Sequence, residues 1–223
     1  MTDYLSVDVG IKNLAYCHLS SNKLIKGWGI INLDKNPICD VNLRKKCMRQ
    51  SSYKVNGVDN IEYCCSNHSK RFKSKKKLDT KNMLETSQTC ISELLKLDLK
   101  DIGVVLIENQ PALKNPIMKS IQMIIYTFFI MNGVMNDDST IKEVNMVNAR
   151  NKLKVYKGPC IVCPYSNDKK DRYKKNKYLS IEYTKQMINV DEDIYKELFE
   201  GSKKKDDLAD AYLQGIYWID KKK

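Results

Sequence analysis

A chain of 223 residues with 42% hydrophobic side chains can bury one sizeable core, with room for an insertion. Its formal net charge of +12, from 39 Lys and Arg against 27 Asp and Glu, points to a polyanionic partner, usually nucleic acid. The N-terminus MTDYLSVDVG lacks a secretory pattern, and the longest apolar run, MIIYTFFIM at 123–131, is half a membrane span. A soluble intracellular protein with no membrane partner is expected, its eight cysteines reduced or bound to metal.

YLSVDVGIKNLAYCHLS followed by KLIKGWGIINL predicts three short strands, with turns near Gly10 to Asn13 and at SSNK. Asp8 interrupts the first run between Val7 and Val9. Aspartate is depleted in strands and costly to bury alone, so Asp8 is either a turn residue near a sheet edge or a chemical group with partners elsewhere. Residues 34–77 lose all apolar periodicity and fill with Lys, Cys, Ser and Asn, the pattern of an insertion within a single domain spanning 1–223. Between Leu78 and Leu99, the residues Leu84, Ile91, Leu94 and Leu95 recur at helical spacing, with Thr80, Asn82 and Glu85 near the start.

DIGVVLIEN at 101–109 is a continuous apolar run, the mark of a strand buried on both faces, and it ends in Glu108. NPIMKSIQMIIYTFFIMNGV predicts a helix capped by Asn115, with Pro116 first and Gly133 near its end; its apolar breadth suits core or a dimer face. STIKEVNMVNA predicts a fifth strand, residues 153–170 a loop, and RYKKNKYLSIEYTKQMI and DDLADAYLQGIYWI two helices. A three-stranded meander followed by alternating helices and strands implies an α/β fold, a mixed sheet with helices on its faces.

Charge is unevenly spread. Residues 42–77 hold 11 basic and 2 acidic side chains and residues 152–177 hold 9 and 2, so these two segments carry the whole excess. Glu108 repeats the oddity of Asp8, a carboxylate at the end of a strongly apolar strand, where sites gather in open α/β sheets. In the last helix Asp207 and Asp210 share one face with Ala211 and Gln214, whereas Asp206 reads as a solvated acidic helix start. Four converging carboxylates cannot all ionise without a cation, and hard oxygen ligands without histidine select Mg²⁺ or Mn²⁺. Two such ions ~4 Å apart would activate a water and stabilise the leaving oxygen of a phosphodiester.

The insertion has its own constellation. Cys65-x-x-His68 has knuckle spacing, and Cys39 with Cys47 supplies two further ligands for one structural Zn²⁺, with Cys64 as an alternative to Cys65. The other reading is scattered surface thiols in a lysine-rich loop. Cys160-x-x-Cys163 is a lone pair that either bridges across a dimer or does nothing.

Strand Asp-x-Gly, strand-end IENQ and helical DDLADA together resemble the RuvC-like Holliday junction resolvases of the RNase H superfold. DVGIKNLAY, LIENQP and KKDDLADAYLQG are most similar to the resolvases of poxviruses and other large DNA viruses, over residues 3–33, 78–150 and 171–220. The resemblance implies an RNase H-like five-stranded mixed sheet flanked by helices. It also implies an endodeoxyribonuclease that cuts four-way DNA junctions as a homodimer, in recombination or replication in the cytoplasm of a virus-infected cell. Carried over, the catalytic and metal-binding carboxylates are Asp8, Glu108, Asp207 and Asp210. A family lysine falls on Lys177, with Lys174 a rival and Lys152 matching a second. Lys70, Arg71, Lys73, Lys75, Lys152 and Lys174 are expected to contact DNA phosphates. The insertion at 34–77 departs from the family pattern.

Two other readings are open: a nucleic-acid-binding module without catalysis, and an ATP-binding protein of the actin and sugar-kinase fold. The latter needs a second glycine-rich phosphate loop, and the nine glycines form no such cluster. The former is expected to lack part of the carboxylate set.

Overall fold

The computed structural model describes every residue except Met1, Lys35, Leu43, Arg44, Asp59, Asn60, Thr80, Lys114, Asn167, residues 189–192 and Lys223. Three strands open the chain: β1 (Asp3–Val9), β2 (Asn13–Leu19) and β3 (Ile25–Asn32). Three short strands follow: β4 (Tyr53–Val58), β5 (Ile61–Cys64) and β6 (Lys75–Lys77). Then come α1 (Met83–Leu94), β7 (Ile102–Glu108), α2 (Pro116–Phe129) and β8 (Glu143–Val147). Helices α3 (Arg172–Met187), α4 (Asp193–Gly201) and α5 (Lys205–Lys222) complete the fold. Met1–Leu33 with Thr89–Lys223 form one compact unit, and Asp34–Gln88 form a second.

The larger unit is built on the expected five-stranded mixed sheet, in the order β3-β2-β1-β7-β8. The meander pairs are antiparallel, whereas β1–β7 and β7–β8 are parallel. Strand alternation divides β1 and β7 between two cores. Leu5, Val7 and Val9 with Val105 and Ile107 join Ile121, Ile125, Phe128 and Phe129 of α2 and Cys90 and Leu94 of α1. The opposite face of the sheet packs under α5. Ala15, Cys17 and Leu19 meet Leu208, Ala211, Tyr212 and Ile216, and Val104 and Leu106 meet Trp218.

Trp28 anchors this second core. Its indole N–H donates to the Leu208 carbonyl at 3.1 Å, and its ring stacks on Phe199 of α4 at 5.2 Å. Two residues of α5 set how closely the helix approaches the strands. The buried Gln214 amide donates to Ser6 Oγ at 3.1 Å and to the carbonyls of Val7 and Leu106 at 3.3 and 3.4 Å. At Gly215 a Cβ would stand 2.5 Å from Leu19 Cδ1 and 3.2 Å from Ser6 Cβ, so any side chain there forces Leu19 to shift and β1 to give way slightly.

The Asn115 cap is formed, its side chain accepting from the Met118 N–H at 3.2 Å, with Pro116 in the first turn. With the π-helical turn Ile130–Val134, α2 is long and apolar enough by composition to cross a membrane. Its buried residues, however, pack into the core beneath the sheet.

Three elements differ from expectation. α1 spans only Met83–Leu94, and it buries Cys90 and Leu94 while Leu84, Ile91 and Leu95 are exposed. Of its expected start residues, Asn82 and Glu85 exchange N–H bonds at 2.9 and 3.2 Å as a capping box, and Thr80 lies outside the described residues. α4 had no counterpart in the sequence reading. Residues 34–77, read as aperiodic, hold a three-stranded antiparallel sheet of order β5-β4-β6.

Candidate active site

Because side chains alternate along a strand, Asp8 lies on the same face of β1 as Ser6, which touches α5. Glu108 follows by the same logic from Leu106 on β7. Parallel pairing of Val7 with Ile107 then brings the two strand ends side by side. From above, the first turns of α5 present Asp206, Asp207 and Asp210. The resulting cleft, about 760 Å³, is lined by all four expected carboxylates together with Lys152 and Lys177. Lys12, Arg150 and Lys204 also line it.

The carboxylates crowd one another. Burial pushes Asp8 well above the ordinary carboxylate range, and the negative Glu108 and Asp210 push it further. Burial raises Asp210 to about 6, Lys152 opposing and Glu108 adding to the shift. Asp207 is raised by burial and by Asp206. Charge of one sign, hard oxygen donors and partial desolvation form a set that fits divalent cations such as Mg²⁺ or Mn²⁺.

Two lysines take different places. Lys152 ion-pairs with Asp210 and stands 3.9 Å from Glu108, so it lies within the carboxylate cluster. Burial alone would lower its ammonium, but Asp210, Glu108 and Asp8 outweigh that and raise it. Lys177 ion-pairs with Asp206 and sits 4.9 Å from the Tyr173 ring centroid. Lys174 is exposed, 3.9 Å from Asp171, and does not line the cleft.

Asp206 corrects the sequence reading. It is half-buried and lines the cleft; burial would raise it, yet the Lys177 ammonium holds it below the usual range. Periodicity could not distinguish it from a solvated helix start, because its partner lies on another helix.

Gln110 was also missed. Its Nε2 donates to Glu108 Oε2 at 2.6 Å and to the Val9 carbonyl at 3.3 Å, tying the end of β7 to the end of β1. Its backbone N–H in turn donates to the buried Gln122 Oε1 at 2.8 Å. The only sequence signal was a glutamine two residues beyond Glu108 in IENQP.

In the smaller unit, Lys70, Arg71, Lys73 and Lys75 are all exposed. One ligand atom from each of Cys39, Cys47, Cys65 and His68 lies within 4.8 Å of every other. Cys64 is buried beside them but is not in this cluster. Cys160 is exposed and Cys163 half-buried, both as free thiols.

A mixed five-stranded sheet with acidic residues gathered at the ends of two adjacent strands and on the last helix is the RNase H-like architecture of the resolvases. The family described as "Mitochondrial resolvase Ydc2 / RNA splicing MRS1" matches residues 4–111. The chain is 33% identical over 243 residues to protein L451 of Acanthamoeba polyphaga mimivirus, covering 94% of this chain and 57% of that protein. It therefore spans little more than half the length of this relative. The yeast mitochondrial Holliday junction resolvase Ydc2 overlays with a TM-score of 0.51 at 16% identity, over 98% of this chain and 79% of that one. A fowlpox virus resolvase, solved with its substrate Holliday junction DNA, gives a TM-score of 0.46 at 19% identity over 99% and 98% of the two chains. The family match over residues 4–111 and the overlay on Ydc2 give the chain a resolvase-type fold, as the motifs implied.

Proposed function

We propose that this protein is a divalent-metal-dependent endodeoxyribonuclease that resolves four-way DNA junctions. The observation that carries the proposal is the convergence of Asp8, Glu108, Asp207 and Asp210 from β1, β7 and α5 on one basic-rimmed cleft. These four carboxylates hold Mg²⁺ or Mn²⁺. Two such ions, once bound, supply an activated water and stabilise the leaving oxygen of the phosphodiester. Lys177 lies beside Asp206 at the cleft and offers its ammonium to phosphate charge. Lys152 holds the Asp210 and Glu108 carboxylates together while DNA is absent. Gln110 fixes the Glu108 side chain, leaving one of its carboxylate oxygens for a metal.

The same proposal includes a homodimer cutting opposing strands, in viral DNA processing in the cytoplasm of an infected cell; the mimivirus relative supports the viral setting alone. A binding module without catalysis fits less well, because the carboxylate set is complete. Purified protein is incubated with synthetic junction, duplex and flap DNA, with and without Mg²⁺. Paired nicks in the junction, dependent on Mg²⁺ and lost in Asp8→Asn while junction binding persists, are expected. Wild-type nicking by Asp8→Asn would remove the metal role of that residue, and no nicking by the wild-type protein in Mg²⁺ or Mn²⁺ would remove the nuclease.

A further inference from the structure

The smaller unit poses a stability problem. Among the described residues, its core consists of Cys39, Val41, Val55, Cys64 and Cys65, with Cys47, Tyr53, Ile61 and Phe72 at the margin. The two valines and three thiols of this described core bury little apolar surface for a unit spanning Asp34–Gln88, and units poor in core ordinarily depend on a disulfide or a metal. The cysteines are free thiols.

The four clustered side chains come from two loops. Cys39 and Cys47 sit on a segment closed by bridges between Ile38 and Gln50 and between Asn42 and Lys46. Cys65 and His68 sit where β5 passes into the 3-10 turn His68–Arg71. Asp40 joins the loops, its Oδ2 accepting from the N–H groups of Glu62 and Tyr63 at 3.0 and 2.7 Å. Backbone N–H groups of Asn67 and His68 point at the Cys65 sulfur, and that of Val41 points at Cys39. Cys39 Sγ lies 3.4 Å from His68 Nδ1. A tetrahedral Zn²⁺ with sulfur ligands at ~2.3 Å has ligand–ligand edges of about 3.8 Å. The observed separations, all within 4.8 Å, need a contraction of about 1 Å at most.

The outside of the unit is of one chemistry. Every described Lys and Arg between residues 42 and 77 is exposed, and that stretch has a net charge of +9. β6 is three consecutive exposed lysines, Lys75–Lys77. On β4, Lys54 pairs with Glu62 and lies 5.7 Å from the Tyr63 ring centroid. A metal-closed core carrying a strip of ammonium groups suits a polyanion.

We infer that Cys39, Cys47, Cys65 and His68 bind one Zn²⁺ that orders Asp34–Gln88, and that the ordered unit grips the DNA phosphate backbone. That the polyanion is DNA rests on the function proposed above; the zinc does not.

The experiment uses the full chain carrying Asp8→Asn, so that binding is read without cleavage. Metal analysis after purification without added zinc should give about one Zn²⁺ per chain. Replacement by Co²⁺ should give the intense visible absorption of a tetrahedral thiolate centre, and His68→Ala should lose both. Zinc near zero, or an unaltered zinc content in His68→Ala, overturns the metal site. Because His68→Ala can unfold the unit, a second variant keeps the fold: Lys73, Lys76 and Lys77 all to Gln. Lys75 is left in place because its ammonium donates to the Ser69 carbonyl at 2.8 Å.

This triple variant should keep its zinc, and the slope of log affinity against log salt on a labelled four-way junction should fall by about 2–3 units. An unchanged slope overturns the DNA role and leaves the zinc site standing. Both results are independent of whether the wild-type protein cleaves.

Discussion

Asp210→Asn removes one charge from the most crowded part of the cleft while keeping its shape. In the metal-free protein Asp210 is raised from 3.8 to about 6, by burial first and with Lys152 opposing. At ~1.4 kcal/mol per pKa unit, the ionised group costs the native state about 3 kcal/mol. Between pH 3.8 and about 6 the native chain holds a proton that the unfolded chain has released. Stability contributed by this group is therefore full below that window, falls as pH rises through it, and stays low above it. Asparagine mimics the protonated form and escapes the loss.

In EDTA at pH 7.5, Asp210→Asn should melt higher than wild type, by up to about 6–12 °C for a chain of this size. At pH 4 the two should nearly coincide. Mg²⁺ at pH 7.5 should raise the melting temperature of the wild type but not of the variant, and the more stable variant should be inactive. Scanning fluorimetry of both proteins at the two pH values reads all of this. A variant that melts lower than wild type at pH 7.5, or a gap of equal size at both pH values, would refute the charge-crowding argument.

Lys177→Ala should lower single-turnover cleavage by about 10²-fold; a change confined to salt-dependent affinity would make Lys177 an ordinary phosphate contact. Gln110→Ala should weaken Mn²⁺ binding by about 10-fold, since partners that orient ligands typically contribute that much, with the melting temperature nearly unchanged. Titration calorimetry on the metal-free protein measures it, and an unaltered affinity would show that Glu108 does not depend on Gln110. Trp28→Ala should cost about 3–5 kcal/mol in urea unfolding by removing the ring between Phe199 and Tyr212. A loss below 1 kcal/mol would mean that this core is not anchored there.

The carboxylates of β1 and β7 were legible because a charge inside an apolar strand is costly, so Asp8 and Glu108 stood out from their own neighbours. The main sheet was legible because its strands are apolar and its turns are marked. The sheet of Asp34–Gln88 was not, because its strands YKVNGV, IEYC and KKK are short and largely polar around a core rich in cysteine, leaving no apolar rhythm to read. α4 is nine residues with only Phe199 buried, too little for a periodic signal. Leu84, Ile91 and Leu95 gave α1 its rhythm, yet the core side is Cys90 and Leu94. Asp206 and Gln110 take their meaning from Lys177 and Glu108, and pairings across elements are invisible in a single sequence.

The missing side chain at Gly215 has an evolutionary consequence. Leu19 of β2 and Ser6 of β1 occupy the space into which a methyl group there would project. A larger residue at 215 is therefore best accommodated in a lineage whose position 19 or 6 has already shrunk, and in the reverse order Leu19 must leave its packed position. Positions 6, 19 and 215 form a historical ratchet. In distant relatives a larger residue at 215 should occur only beside a smaller one at 19 or 6, and a chimera that brings such a last helix onto this chain's strands should lift Asp207 and Asp210 away from them even though every acidic residue is retained.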